Sequence, residues 1–264
     1  MSKNVAVIIC AAGPSSRFAG QGGSSSGGDK NKPAFGGLRK KQFVDLSGRA
    51  VFLRSVELFS SRDDVKQILL AISPEDEELV KVKWGANLNF FNVKICFGGA
   101  ERFETVGKAL ELVKDDIDLI AVHDAARCCV TAELIEEVIV AAAKNGAAIP
   151  ACPVSATIKE VKKDKTIIKT IDRSNLYEAQ TPQIFEASLL KRAYANLKNL
   201  KDSKISDDSQ LVEALGEKVA IVETDSSNIK ITRQSDIPIA EAILKSRPKP
   251  KPEGPIGPYI EAQW

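Results

Sequence analysis

Short apolar runs alternate with helix-spaced segments over roughly the first 150 residues of this chain. The runs lie at Val5–Cys10, Gln67–Ile72, Val93–Phe97, Leu119–Val122 and Ala147–Ala151. The segments with helical spacing lie at Ala50–Phe59, Pro74–Lys83, Arg102–Val113 and Thr131–Lys144. Such runs are typical of strands buried on both faces, and their alternation with helices predicts an α/β fold, a Rossmann-like, mostly parallel sheet with helices on both faces. Ligands bind such sheets at the carboxyl ends of the strands, so the loops that follow strands are the expected site.

The pattern changes after residue 150. Residues 154–171 alternate apolar and polar side chains around Lys162-Lys163-Asp164-Lys165, which predicts a two-stranded β-arm within residues 153–173. Because an isolated hairpin is only marginally stable in water, we expect the arm to protrude and pack on a second subunit. A helix at 186–197, a strand at 219–223 and a helix at 234–245 follow, so residues 1–245 are expected to form one domain.

Two segments are expected to lack fixed structure. Residues 19–38 are rich in glycine and serine, which is typical of a flexible linker inserted in the loop after the first strand. Residues 246–264 carry five prolines and little apolar periodicity, and they are expected to form a solvated tail.

The overall charge and the cysteines give no support to several classes of function. The 37 basic and 35 acidic residues give a net charge of +2, which supports neither a nucleic-acid partner nor a membrane surface. No apolar stretch approaches the length of a membrane span. The five cysteines form no CxxC pair and the chain has a single histidine, so free thiols in a reducing cytoplasm are expected rather than a zinc site.

The loop after the first strand, Ala11-Ala12-Gly13-Pro14-Ser15-Ser16-Arg17, is the strongest candidate site. Its small residues let backbone N–H groups approach phosphate oxygens, while Ser15, Ser16 and Arg17 add donors that suit phosphate. The loop contains neither GxGxxG nor GxxxxGK[ST], so neither a dinucleotide fold nor a P-loop is favoured. Taken alone, it equally suits a small-residue turn with a solvated arginine.

A lysine pair, Lys40 and Lys41, follows the insert and precedes Gln42. One of the two lysines could close over the β- and γ-phosphates of a nucleoside triphosphate, and either is a candidate. The alternative is a solvated strand edge in front of the apolar Phe43 and Val44.

Several motifs, in order along the chain, carry a resemblance to a known family. They are Ala11-Ala12-Gly13 with Arg17, Lys41-Gln42, Gly98-Gly99-Ala100-Glu101-Arg102 with Thr105, His123-Asp124-Ala125-Ala126-Arg127, Thr157-Ile158-Lys159, Thr170-Ile171-Asp172-Arg173, Ala179-Gln180-Thr181-Pro182-Gln183, Ser206-Asp207-Asp208 and Asn228-Ile229-Lys230-Ile231-Thr232. Together they resemble the 2-C-methyl-D-erythritol 4-phosphate cytidylyltransferases, over residues 3 to about 245.

The resemblance implies a reaction in which CTP and 2-C-methyl-D-erythritol 4-phosphate give 4-diphosphocytidyl-2-C-methyl-D-erythritol and pyrophosphate. It implies catalytic roles for Arg17, Lys41 and Lys230: the first two hold the triphosphate, and Lys230 reaches the α-phosphate. Mg²⁺ is expected to be held mainly by the CTP phosphates, with no side chain assigned as its ligand. The partners implied are CTP and a sugar-alcohol phosphate.

The remaining motif residues divide between the two substrates. The residues expected to bind CTP are Ala11, Ala12, Gly13, Ser15, Ser16, Gly98, Gly99, Arg102 and Thr105, although Gly98-Gly99 is also typical of a tight turn. The residues expected to bind the sugar-alcohol phosphate are Asp124, Arg127, Thr157, Arg173 and Ser206. An internal ion pair is the alternative for Asp124 and Arg127, and His123 is expected to be structural. The arm would carry Thr157 and Arg173 to the partner subunit of a homodimer with a shared active site.

Two other functions remain open at this stage. Ribitol 5-phosphate could replace methylerythritol phosphate as the acceptor in the same CTP chemistry. A non-catalytic nucleotide-binding protein could use the same sheet, although retention of Arg17, Lys41 and Lys230 favours an enzyme.

Overall fold

The structure, a computed structural model, describes residues 3–19, 40–200 and 205–248. Most of the insert predicted at 19–38 and of the tail predicted at 246–264 lies outside these ranges. The side chains of Arg17 and Ala19 lie outside them as well.

The described residues form twelve strands and eight α-helices. The strands are β1 (Val5–Cys10), β2 (Asp45–Leu46), β3 (Arg49–Ala50), β4 (Val65–Ile72), β5 (Val93–Phe97), β6 (Leu119–Asp124), β7 (Ala147–Pro153), β8 (Ile158–Val161), β9 (Ile167–Ile171), β10 (Tyr177–Ala179), β11 (Gln183–Glu186) and β12 (Ala220–Glu223). The helices are α1 (Ser16–Ala19), α2 (Val51–Ser60), α3 (Glu77–Phe90), α4 (Arg102–Leu110), α5 (Ala132–Asn145), α6 (Ala187–Ala195), α7 (Ser209–Glu213) and α8 (Asp236–Ser246). Three 3-10 turns lie at Lys41–Phe43, Pro74–Asp76 and Asn196–Asn199.

The main sheet has eight strands in the order β10-β7-β11-β6-β1-β4-β5, with β12 also paired to β7. The pairs β6–β1, β1–β4, β4–β5 and β7–β12 are parallel, which confirms the mostly parallel sheet predicted from the sequence. The short β10 and β11 are antiparallel to their neighbours and were not predicted. At three and four residues they are too short for an alternating pattern to stand out.

Helices cover both faces of this sheet, as predicted. Side chains of β1 alternate between two cores, because successive residues of a strand point to opposite faces. Val5, Val7 and Ile9 pack with α2, α3 and α5, whereas Ala6 and Ile8 pack with α4, α6 and α7. Both faces of the central strands are therefore covered by apolar side chains, which leaves the ends of the strands as the place for polar side chains.

The predicted helix at 74–83 differs from the observed one. The chain makes a 3-10 turn at Pro74–Asp76, and α3 then continues to Phe90. Trp84 and Leu88 are buried and extend the apolar face beyond the predicted end. Sequence reasoning ended the helix too early because most residues between these two are polar or small.

A third, smaller core joins α8 to the loop after β6. Ile231 and Ala240 pack there with Ala126, Cys128 and Cys129. This packing places the segment that carries Lys230 next to the carboxyl end of β6. The five cysteines are free, as predicted; Cys96, Cys128 and Cys129 are buried.

The predicted arm is a hairpin of β8 and β9 that forms its own two-stranded sheet. Its apolar side chains at Val161, Ile167 and Ile168 are at least half exposed. Within the described residues, no helix is both long and apolar enough to cross a membrane.

Candidate active site

A cavity of about 320 Å³ lies at the carboxyl end of β1. The strand order changes direction at β1, because β4 and β5 lie on one side of it and β6 on the other, and such switch points are where α/β sheets bind ligands. Of the residues predicted from the sequence, the cavity is lined by Ala11, Ala12, Gly13, Lys41, Gly99, Arg102, Thr105, Asp124 and Lys230.

Gln42 joins the segment after the insert to the loop after β1. It is buried, and its Nε2 donates to the carbonyl oxygens of Ala11 at 2.6 Å and Gly13 at 3.3 Å. Ser15, which has a positive φ of 57°, donates its hydroxyl to Gln42 Oε1 at 3.0 Å. The same hydroxyl accepts from the backbone N–H of Lys41 at 3.3 Å. These bonds place Lys41 in the cavity despite the long insert between the two segments.

The two lysines of the pair take different positions. The Nζ of Lys40 lies 2.7 Å from a carboxylate oxygen of the buried Asp76 and 3.0 Å from one of Glu75. Burial lowers the pKa of Lys40, but the two carboxylates raise it by more, so that the net shift is upward. Lys41 instead lines the cavity. The geometry therefore favours Lys41 over Lys40 as the residue that meets a ligand there.

The loop from β5 to α4 is closed so tightly that two of its positions need glycine. A Cβ at Gly98 would lie 2.4 Å from Ala12 Cβ, and one at Gly99 would lie 2.4 Å from Glu104 Cβ. The hydroxyl of Thr105 accepts from the Gly99 N–H at 3.0 Å and donates to the Glu101 carbonyl at 3.1 Å. Thr105 thus holds the loop shape, and the glycines allow the loop to approach Ala12 across the cavity.

Asp124, at the end of β6, is the centre of charge in the cavity. Its Oδ2 lies 2.6 Å from Lys230 Nζ, and its Oδ1 accepts from Arg102 Nε at 3.2 Å. Arg127 Nε lies at 4.0 Å from Oδ2. Three cationic side chains therefore lie around one carboxylate, and two of them, Arg102 and Lys230, also line the cavity.

The cations keep Asp124 ionised. Burial raises the pKa of its carboxyl, but Arg102 and Lys230 lower that pKa by more, so the net value lies far below the usual range. Arg102 shows the matching effect: burial lowers its pKa, while Asp208 and Asp124 raise it well above the ordinary value. Asp124 is therefore a carboxylate at any physiological pH.

Arg127 contacts backbone rather than the cavity. Its Nη1 donates to the Asn228 carbonyl at 2.7 Å and its Nη2 to the Ala179 carbonyl at 3.2 Å. Asn228 in turn donates through Nδ2 to Gln180 Oε1 at 2.8 Å and to the Thr181 carbonyl at 3.0 Å. These contacts order the loops around the site, including the loop that carries Lys230.

His123 is fully buried behind the site. Its Nε2 lies 3.2 Å from Ser55 Oγ and its Nδ1 lies 3.1 Å from Thr181 Oγ1, while its ring meets Phe59 edge-on. Burial lowers its pKa to about 4, so the ring is neutral near pH 7. These contacts fit the structural role expected from the sequence.

Of the residues expected to hold the sugar-alcohol phosphate, Asp124 lines the cavity, whereas Thr157, Arg173 and Ser206 lie apart from its lining. Thr157 and Arg173 are exposed on the arm, where Arg173 Nη1 donates to the Ser155 carbonyl. Ser206 is exposed, and its backbone N–H donates to Gln210 Oε1 at 2.8 Å. Within one chain, the described structure does not bring Thr157 and Arg173 to Asp124.

Sequence reasoning missed the buried polar residues that hold this site together. Besides Gln42, they are Asp208, which binds Arg102, and Gln183, whose Oε1 accepts from the backbone N–H groups of Asp208 and Ser209 at 3.0 and 3.1 Å. Both Asp208 and Gln183 stand within motifs that were singled out, but only the exposed Ser206 was assigned a role. Asp208 and Gln183 differ from Ser206 in being buried, and burial cannot be seen in the sequence.

Comparison with known proteins agrees on one family. The family model described as 2-C-methyl-D-erythritol 4-phosphate cytidylyltransferase matches residues 32–246, a range that includes Lys41, Asp124 and Lys230. The chain is similar to the enzyme of that name from Endomicrobium trichonymphae, with 45% identity over 213 residues, which are 80% of this chain and 93% of the relative. A relative of the same name from Alkaliphilus oremlandii is 36% identical over 91% of this chain and 95% of its own length.

Solved structures give the same result. The 4-diphosphocytidyl-2C-methyl-D-erythritol synthase from Anaerococcus prevotii superposes with a TM-score of 0.73 at 30% identity, covering 93% of this chain and 100% of the other. The 2-C-methyl-D-erythritol 4-phosphate cytidylyltransferase from Thermus thermophilus gives a TM-score of 0.69 at 28% identity, with 93% and 100% covered.

Proposed function

Because this chain belongs to the 2-C-methyl-D-erythritol 4-phosphate cytidylyltransferase family, we propose that the cavity beside Asp124 is where its two phosphate-bearing substrates meet. The enzyme transfers a cytidylyl group from CTP to 2-C-methyl-D-erythritol 4-phosphate in non-mevalonate isoprenoid biosynthesis, releasing pyrophosphate. The observation that carries the assignment is that Lys41, Arg102 and Lys230 line one cavity, in which Arg102 and Lys230 both pair with Asp124.

The chemistry needs cations and alignment more than a proton acceptor. An oxygen of the acceptor phosphate attacks the α-phosphorus of CTP; a P–O bond forms, and the bond to the pyrophosphate oxygen breaks. Since the second pKa of a phosphate monoester is about 6, the attacking oxygen is largely ionised near neutral pH. What remains is to bring two anions together and to stabilise charge on the leaving pyrophosphate.

The roles assigned to single residues follow from their places. Lys41, held by Gln42 beside the loop after β1, would contact the triphosphate together with Arg17. Lys230 sits across the cavity on Asp124 and would transfer its hydrogen bond to the α-phosphate as charge develops there. The backbone of residues 11–13 and Gly99 would face the nucleotide, with Gly98 and Thr105 setting the loop shape.

A divalent cation is also proposed, most simply Mg²⁺. Among the described residues, no group of three or more acidic, histidine or cysteine side chains could hold a metal ion, and Asp124 is already paired with cations. These side chains suit a metal that is held mainly by substrate phosphates, which is how Mg²⁺ is usually bound at such sites. When bound, the ion would neutralise phosphate charge.

The acceptor half of the site is proposed to come partly from a second subunit. The arm exposes Val161, Ile167 and Ile168, and it carries Thr157 and Arg173 away from the cavity of its own chain. If a second subunit packs on these apolar side chains, the polar residues of the arm can reach the cavity of that second subunit. We therefore propose a homodimer with shared sites, acting in the cytoplasm.

Pyrophosphate release tests the function directly. With CTP and Mg²⁺, turnover with 2-C-methyl-D-erythritol 4-phosphate is expected to be well above that with ribitol 5-phosphate. The reason is that most of the chain matches the 2-C-methyl-D-erythritol 4-phosphate cytidylyltransferase family. Faster release with ribitol 5-phosphate would contradict the choice of acceptor. CTP binding without pyrophosphate from either acceptor would favour a nucleotide-binding protein instead.

Complementation tests the shared site. Lys230→Ala and Arg173→Ala chains, each nearly inactive alone, are expected to regain activity when co-expressed, because the mixed dimer has one site with both residues intact. About a quarter of the wild-type activity per site is expected if the chains pair at random, since half of the dimers are mixed and each has one intact site.

The control pairs the Lys230→Ala chain with a chain carrying both substitutions, a mixture in which every dimer lacks Lys230. Activity is expected to stay at the background level there. If the Lys230→Ala and Arg173→Ala mixture also stays at background although mixed dimers are isolated by two affinity tags, Arg173 does not act across the dimer.

A further inference from the structure

Asp208 lies behind the cavity and contacts Arg102, one of the charged residues that line it. It is 1% exposed, and its Oδ2 accepts from Arg102 Nη1 at 2.6 Å. Its Oδ1 accepts from the hydroxyl of Tyr194 at 2.5 Å, and its backbone N–H is held by Gln183. Burial and Asp208 together raise the pKa of Tyr194 far above its usual value, so the phenol remains a donor. Asp208 is thus fixed from three sides.

Arg102 bridges Asp208 to Asp124. Its Nη1 is bound to Asp208, and its Nε is directed to Oδ1 of Asp124. The other oxygen of Asp124 is left to Lys230 at 2.6 Å. A guanidinium is a planar fork that prefers to bind both oxygens of a carboxylate at once. With its Nη1 held by Asp208, Arg102 instead meets Asp124 through a single hydrogen bond.

We propose that Asp208 is a positioning residue for cytidylyl transfer: by binding Arg102, it reserves one oxygen of Asp124 for Lys230. The proposal rests on the function assigned above to Lys230. Without the Asp208 charge, Arg102 turns onto both oxygens of Asp124 and displaces the Lys230 ammonium from its place at the α-phosphate. The Arg102 Nη2 atom, buried and without a hydrogen-bond partner in the described structure, is the donor that would complete this fork.

Asp208→Asn tests the proposal because it keeps the shape of the side chain and removes its charge. We expect kcat to fall about tenfold with little change in the KM for CTP, a smaller loss than removal of the ammonium itself gives. In the Lys230→Ala background the same substitution is expected to have almost no further effect on kcat, because the residue through which it acts is gone. Equal losses in both backgrounds would overturn the proposal, as would an unchanged kcat.

A second readout does not depend on turnover. The rate at which acetic anhydride acylates Lys230, followed by mass spectrometry, is expected to rise several-fold in Asp208→Asn, since the ammonium loses the carboxylate that shields it. An unchanged rate would overturn the proposal even if kcat fell. If Lys230→Ala itself leaves kcat unchanged, the role of Lys230 fails, and the acylation rate still reports on the Asp208 contact.

Two further variants guard against misfolding and non-specific effects. Tyr194→Phe removes the hydroxyl that fixes Asp208 but no charge, and it is expected to give the same effects in weaker form should Asp208→Asn not fold. Glu217→Gln removes a carboxylate from an exposed pair with Arg192 and is expected to match the wild type in both readouts. A Glu217→Gln variant with the Asp208→Asn phenotype would show that any lost carboxylate suffices, and would overturn the proposal.

Discussion

Lys230→Ala is expected to lower kcat by about 10²–10³, the usual loss when one electrostatic stabiliser is removed from an active site. The Lys230 side chain lines the cavity, and its ammonium already forms an ion pair with Asp124. In the transition state that charge would stabilise the α-phosphorus and the leaving pyrophosphate, where negative charge grows. Initial rates of pyrophosphate release under saturating CTP and acceptor measure the effect.

The matched control is Lys245→Ala, which removes an exposed lysine that pairs loosely with Glu241 at 3.9 Å on α8. It is expected to keep wild-type turnover. The Lys230→Ala protein should remain folded, because Asp124 keeps its contact with Arg102 and the lysine side chain is one-third exposed. Near-normal kcat in a folded Lys230→Ala protein would remove Lys230 from the mechanism.

The parallel half of the fold could be predicted from the sequence because its signal is local. Strands β1 and β5 have the bounds predicted for them, because their apolar residues mark a strand without reference to other segments. Of these two strands, only β1 is buried on both faces; Lys94 and Phe97 of β5 are exposed. The antiparallel β11 escaped prediction because its place between β6 and β7 depends on pairing with distant strands. Four residues of Gln183–Glu186 do not carry that information.

The site divides in a similar way. Lys230 and Asp124 were found because they follow strands or stand in recognisable motifs, and the structure brings them to within 2.6 Å. Gln42 and Asp208 were not assigned roles, since their effect depends on which buried atoms they meet. Polar residues of this kind are recognised only once the partners that satisfy their hydrogen bonds are known.

Lys41→Ala and Lys40→Ala are expected to fail in different ways, although the two residues are neighbours. Lys41 lines the cavity, so its loss should lower kcat/KM for CTP by about 10²-fold while the melting temperature changes little. Lys40 neutralises the buried Asp76, so its loss leaves a buried carboxylate without its cation and should destabilise the fold by about 3 kcal/mol.

Turnover of the Lys40→Ala protein, measured well below its lowered melting temperature, is expected to stay within a few-fold of wild type, because Lys40 points away from the cavity toward Glu75 and Asp76. Asp76→Asn tests whether the unpaired Asp76 carboxylate is the cause of the lost stability, because it removes that buried charge. Combined with Lys40→Ala, it should recover much of the lost stability and leave turnover intact. A folded Lys40→Ala protein that has lost turnover, beside an active Lys41→Ala protein, would reverse the assignment. Lys40 would then have to leave Asp76 when the triphosphate enters.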